Sequence, residues 1–108
     1  MAMFDEVTPA EFVGRQSSGE LWQLLDVRED WERNIASIDG SIHIPMGDVP
    51  GRLHELNKDS PVAVLCHSGV RSARVAGFLA QQGFTHVANV SGGIEAWSVD
   101  VDPAVPRY

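Results

Sequence analysis

The chain of 108 residues holds a single cysteine, Cys66, so no internal disulfide can form. Basic side chains are scarce. There are 8 Lys and Arg against 15 Asp and Glu, a formal net charge of −7. That balance argues against nucleic acid, which needs a basic face, and against an anionic membrane surface. No apolar run approaches the ~18 residues of a membrane-spanning helix. The N-terminal Met1-Ala2-Met3-Phe4-Asp5-Glu6 has neither the basic stretch nor the long apolar stretch of a secretory signal. There are no repeats and no low-complexity tract. His43, His54 and His86 show no metal-ligand spacing, so no metal is expected, and no cofactor either. Taken together, these absences predict a protein of the reducing cytoplasm. What is present is a 44% apolar composition, which fits one compact domain with a single core.

Along the chain, short apolar runs alternate with helical signals. Thr8-Pro9-Ala10-Glu11 is a capping box with proline at the first helical position, so a short helix should run from Pro9 to about Gln16. Residues 21–27 are mostly apolar, as a parallel strand covered on both faces would be. Residues 28–34 predict a short charged helix with Trp31 turned inward. Trp22 and Trp97 are likewise expected in the core. Residues 42–44 form a short strand stopped by Pro45, and residues 51–57 one further helix. Residues 62–65 are the central strand and residues 72–82 the strongest helix, ended by Gly83. Residues 86–90 are the last strand, and residues 93–98 a short helix carrying Trp97. This alternation predicts an α/β fold with a parallel sheet of about five strands and helices on both faces. The domain is expected to occupy residues 1–98, with residues 99–108 an extended tail containing Pro103 and Pro106.

The chemistry concentrates in Cys66-His67-Ser68-Gly69-Val70-Arg71-Ser72. Cys66 follows a buried strand and sits on a tight loop leading into a helix. The N–H groups of such a loop point inward, and the helix start carries partial positive charge. Both favour an anion, so the Cys66 pKa should fall and the thiolate should be populated near neutral pH.

Four blocks in order resemble the single-domain rhodaneses, a family of sulfurtransferases. They are Asp26-Val27-Arg28 with Glu29 and Glu32, then Gly40-Ser41-Ile42-His43-Ile44-Pro45, then the cysteine loop as C-x-x-G-x-R-S, then Gly92-Gly93-Ile94-Glu95-Ala96-Trp97. Ala36-Ser37-Ile38 stands where members often carry Gly-His-Ile. The resemblance implies a rhodanese-like fold and a ping-pong reaction. Cys66 attacks the outer sulfur of a donor such as thiosulfate, becomes a persulfide, and yields that sulfur to a thiol, cyanide or a sulfur-carrier protein. Phosphatases of the same fold carry Cys-x5-Arg, whereas Cys66 to Arg71 is Cys-x4-Arg. The shorter loop should fit a sulfur atom and not a phosphoryl group.

Cys66 is therefore the expected nucleophile, with His67, Ser68, Gly69, Val70, Arg71 and Ser72 forming the substrate-binding loop. Each has a plainer alternative. Arg71 either binds the sulfonate end of a donor or is a solvated arginine at a helix start. His67 either tunes substrate choice or is a solvated loop residue. Ser68 and Ser72 can cap the following helix, and Ser72 can instead donate to the sulfur. Asp26 and Arg28 can form a buried ion pair that holds the scaffold. Residues 101–108 resemble the end of rhodanese domains fused to enzymes that activate ubiquitin-like sulfur carriers. That hints at a relay module handing persulfide sulfur to a protein partner. A catalytically silent module of this fold is disfavoured by the retained cysteine.

Overall fold

The computed structural model describes residues 3–108. Strands β1 (Asp5–Val7), β2 (Gln23–Asp26), β3 (Ile42–His43), β4 (Val62–Leu65) and β5 (Val87–Val90) alternate with helical segments. These are α1 (Pro9–Ser17), α2 (Asp30–Ile35), a 3₁₀ run (Met46–Glu55), α3 (Val70–Gln81) and α4 (Gly93–Asp100). The sheet order is β1-β5-β4-β2-β3 and each pairing is parallel. The fold is α/β with a five-stranded parallel sheet, as the alternation of segments predicts.

Successive side chains on a strand face opposite sides of the sheet, so each strand feeds two cores. In β4, Val62 and Val64 pack with Val49, Val75, Ala76 and Leu79 on one side. Ala63 and Leu65 pack with Phe12, Ile94 and Trp97 on the other. All four β4 residues are buried, which explains the unbroken apolar run. Each such valine or leucine contributes about 1.5–3 kcal/mol through burial. The capping box closes α1 as expected. Thr8 Oγ1 accepts from the Glu11 N–H and Glu11 Oε1 accepts from the Thr8 N–H.

Several elements differ from the sequence reading. β1 was not foreseen: it has three residues, two of them exposed, and pairs only at the sheet edge with β5. The helix expected over residues 51–57 is a 3₁₀ run from Met46, kinked at Arg52 and containing Pro50, which has no N–H to donate. α3 starts at Val70 rather than Ser72. Trp31 does not turn inward; it is 61% exposed, and its neighbour Glu32 takes the buried position at 3%. A carboxylate there is tolerated because it is paired, as shown below. Trp22 is half-buried, whereas Trp97 lies in the core. Helix α4 continues through Asp100, past the expected end at Ser98. No helix among the described residues is long and apolar enough to cross a membrane.

Candidate active site

Cys66 lies just beyond the carboxyl end of β4, in the middle of the sheet, where open α/β folds bind their ligands. The chain then turns through Gly69, whose φ of +101° is the left-handed conformation that glycine adopts without strain, and enters α3. This turn folds the loop back over the sulfur. The Gly69 N–H donates to Cys66 Sγ at 3.1 Å, the Ser72 N–H lies at 3.4 Å, and Ser72 Oγ at 3.2 Å. Burial alone pushes the Cys66 thiol up. Hydrogen bonds from the Ser72 hydroxyl and from the Ser72, Gly69 and Ser68 N–H groups outweigh it and bring the pKa below the ordinary thiol value.

The loop is pinned from behind by α4. The Ile94 N–H donates to the Cys66 carbonyl at 2.9 Å and the Glu95 N–H to the His67 carbonyl at 3.1 Å. With these carbonyls tied to one helix start, the loop's own N–H groups are left to the sulfur side. This close approach requires glycine at position 93, because a Cβ there would overlap the Cys66 and His67 carbonyl groups. The strand-to-helix turn at Gly92-Gly93 therefore shapes the cysteine loop directly.

A charged network lies beside the loop. Asp26 and Arg28 form the expected buried pair, with Arg28 Nη2 2.7 Å from Asp26 Oδ2 and both side chains at 0% exposure. Arg71 donates from Nη1 and Nη2 to the two oxygens of Glu32 at 2.6 and 2.8 Å. Tyr108 joins the two pairs. Its hydroxyl donates to Glu32 Oε2 at 2.7 Å and accepts from Arg28 Nη1 at 3.0 Å. Its ring stacks on His67, centroids 4.2 Å apart. The Arg71 guanidinium, against the cost of burial and with help from Tyr108, holds the Glu32 carboxyl down to about 2. Arg71 itself is raised further by the same bond.

The expected loop residues are thus placed as follows. Cys66 is buried at the base, Ser68 and Val70 are exposed, and His67 lies half-covered under Tyr108. Neither Ser68 nor Ser72 caps α3: Gly69 occupies the cap position and Ser72 sits within the first turn, against the sulfur. Arg71 is not a solvated helix-start residue, since Glu32 engages both of its terminal nitrogens. The partners Glu32, Tyr108 and Asn89 were not picked out as site residues from the sequence. Tyr108 is the only tyrosine, but it lies 76 residues from the glutamate it contacts, and the resemblance of residues 101–108 to the end of fused rhodanese domains does not link it to the cysteine loop.

Residues 8–100 match the family model described as Rhodanese-like domain. YtwF of Bacillus subtilis, provisionally named a sulfurtransferase, is 39% identical over 91% of this chain and 94% of its own length. A rhodanese-like domain protein from Staphylococcus aureus superposes with a TM-score of 0.84 at 30% identity, covering 97% of this chain and 99% of that one. Other relatives are longer. The chain spans 23% of the Zea mays adenylyltransferase and sulfurtransferase MOCS3-1, at 36% identity, and half of YrkF from Bacillus subtilis, provisionally named a sulfur carrier protein. With its fold, its cysteine loop and these matches in agreement, the chain belongs to the rhodanese-like domain family, among sulfurtransferases and sulfur carriers.

Proposed function

We propose that this protein moves sulfane sulfur from thiosulfate or a persulfide donor through a persulfide on Cys66. The observation that carries this reading is the seat of Cys66, a residue 1% exposed whose Sγ accepts from the N–H groups of Gly69 and Ser72. Only a slim terminal atom can reach a thiol so placed, and a terminal sulfur is such an atom. In the first half-reaction the Cys66 thiolate attacks the outer sulfur of thiosulfate. A sulfur–sulfur bond forms on the enzyme, and the donor's own sulfur–sulfur bond breaks, its electron pair leaving on sulfite. In the second, a thiolate or cyanide attacks the outer sulfur and Cys66 leaves as thiolate. The persulfide anion rests on the loop N–H groups with the helix start behind it, so the chain needs no metal for this charge.

His67, Ser68, Gly69, Val70, Arg71 and Ser72 bind the donor in this scheme. Arg71, whose side chain is 31% exposed and whose position Glu32 fixes, is assigned the anionic end of the donor. Delivery of the sulfur to a protein, a sulfur carrier in particular, is the second reading. It is supported by the exposed Trp31 and Val70 on α2 and α3, 61% and 64% accessible, and by relatives that join adenylyltransferase and sulfurtransferase in one name. A lone thiol that must stay reduced fits the cytoplasm. The test is a thiosulfate:cyanide assay on wild type and Cys66→Ser, with circular dichroism on both. Transfer should vanish while the fold persists; near-wild-type transfer by the serine variant would overturn the reading.

A further inference from the structure

Behind Cys66 the buried polar contacts continue past Ser72 to Asn89, a residue that sulfur transfer as described does not use. Ser72 Oγ lies 3.2 Å from Cys66 Sγ and 2.5 Å from Asn89 Oδ1. Ser72 is fully buried and Asn89 is 3% exposed. The orientation of the Asn89 amide is fixed by its other end. Nδ2 faces acceptors only, donating to the Glu6 carboxylate at 3.1 and 3.2 Å and to the Gly69 carbonyl at 3.1 Å. Oδ1 must therefore be the atom that faces Ser72, and it can only accept. The serine hydroxyl has one proton and two acceptors beside it, the amide oxygen and the sulfur.

The charge on sulfur changes through the cycle, and the better acceptor changes with it. In the thiol, S–H donates to Ser72 Oγ and the hydroxyl donates to Asn89. In the thiolate, the sulfur carries a full charge and draws the hydroxyl away from Asn89. In the persulfide, the charge moves to the outer sulfur, Sγ becomes a weak acceptor, and the hydroxyl returns to Asn89. We propose that Asn89 is a positioning residue for sulfur transfer: its Oδ1 competes with Cys66 Sγ for the Ser72 proton, restraining the free thiolate and favouring the loaded enzyme. This rests on Cys66 as the sulfur-carrying nucleophile, but the hydrogen-bond competition itself is present without any donor.

The charged groups around the sulfur come from several elements. They are Glu6 on β1, Arg71 on α3 with Glu32 of α2, and His67 with Glu95 of α4 at 3.9 Å. Asn89→Ala removes none of these charges, but it also releases the Glu6 carboxylate and the Gly69 carbonyl that Nδ2 holds, so the Ser72→Ala background is what isolates the effect that runs through the serine.

The experiment is the pH dependence of Cys66 alkylation by iodoacetamide in wild type, Asn89→Ala, Ser72→Ala and the double variant. Asn89→Ala should lower the apparent thiol pKa by roughly half to one pH unit, one hydrogen bond's worth. Ser72→Ala should raise it, and the double variant should match Ser72→Ala, because Asn89 acts only through the serine. Asn89→Asp keeps the size, strengthens the acceptor facing Ser72 and sets its second oxygen against the Glu6 carboxylate and the Gly69 carbonyl, so its charge acts on the thiol both directly and through the serine. It should raise the pKa, and part of that rise should disappear in the Ser72→Ala background. This variant decides the matter should alanine at 89 not fold. An unchanged pKa in Asn89→Ala, or equal shifts from either Asn89 variant with and without Ser72, would overturn the proposal. Failure of the persulfide to form on wild type, with these shifts intact, would instead count against the transfer reading alone.

Discussion

Arg71 and Glu32, 39 residues apart, meet in a bidentate ion pair whose carboxylate is almost wholly buried. The pair ties the cysteine loop to α2. It also explains why an arginine stands at a helix start, where the helix dipole alone disfavours it. Its contribution to stability follows from linkage. Glu32 titrates near 2 in the fold against 4.5 unfolded, so the native state binds this proton more weakly. The contribution is full above about pH 4.5, roughly 3 kcal/mol, and is lost as pH falls through 2. Glu32→Gln should melt at a lower temperature than wild type at neutral pH, and the two should converge below about pH 2. Parallel melting curves with no convergence would assign acid sensitivity to other groups.

Arg71→Ala should do more than remove a substrate contact, because it leaves the Glu32 carboxylate buried without its cation. Loss of one partner of a buried pair costs about 3–5 kcal/mol, discounted here because the arginine is partly exposed. Denaturant unfolding should show a clear drop in midpoint. On the proposed reading the guanidinium holds the sulfonate alike in ground and transition states, so in steady-state kinetics KM for thiosulfate should rise more than kcat falls. Unchanged kinetics in a folded variant would leave Arg71 a purely structural residue.

Tyr108 gives a direct optical reading of the same network, since it is the only tyrosine. Burial, offset in part by Arg28 and reinforced by the bond to Glu32, pushes its phenol up to about 12 from 10. A raised phenol stabilises the fold fully below pH 10 and ceases to do so as pH rises through about 12. The ultraviolet band of tyrosinate should therefore appear near pH 12 in the native protein. Tyr108→Phe should lower stability, because it removes the hydroxyl that joins Arg28 to Glu32 while keeping the ring stacked on His67. A native titration midpoint near 10 would show the phenol to be free of Glu32.

Much of this was legible in the sequence, and the reasons differ by element. β4 announced itself because its four residues are buried on both faces of the sheet and all four are apolar. The cysteine loop was legible because its spacing, its glycine and the helix that follows are local. What was not legible depends on contacts between distant segments. β1 is too short and too exposed to show a period. The inward turn of Glu32 in place of Trp31 runs against hydrophobicity and is understood only once Arg71 and Tyr108 are brought beside it. Asn89 reads as one polar residue in an apolar strand until the fold sets it between Ser72 and Glu6.

Gly93→Ala tests the pinning of the loop by α4. Its φ of +61° is left-handed, and a methyl group would collide with the Cys66 and His67 carbonyls. The variant should lose stability by more than the about 1 kcal/mol of an ordinary glycine substitution, and should lose sulfur transfer with it. A folded, fully active alanine variant would show that the close approach is dispensable.

Loop length should select the chemistry. A glycine inserted between Gly69 and Val70 gives Cys-x5-Arg and spreads the donors that now converge on one sulfur. Sulfur transfer should fall by about 10²–10³-fold, the scale of a lost donor in such a cradle. Wild type should not hydrolyse an aryl phosphate. Paired assays of both reactions on both proteins decide this, and unchanged transfer by the insertion variant would remove loop length as the selector.

The persulfide itself is the most direct test. Wild type and Cys66→Ser are treated with thiosulfate, desalted and weighed intact by mass spectrometry. Wild type should gain the mass of one sulfur atom, and that gain should disappear after dithiothreitol or cyanide, while Cys66→Ser gains nothing. A wild-type protein that stays at its unmodified mass, or a serine variant that gains the same sulfur, would contradict Cys66 as the carrier.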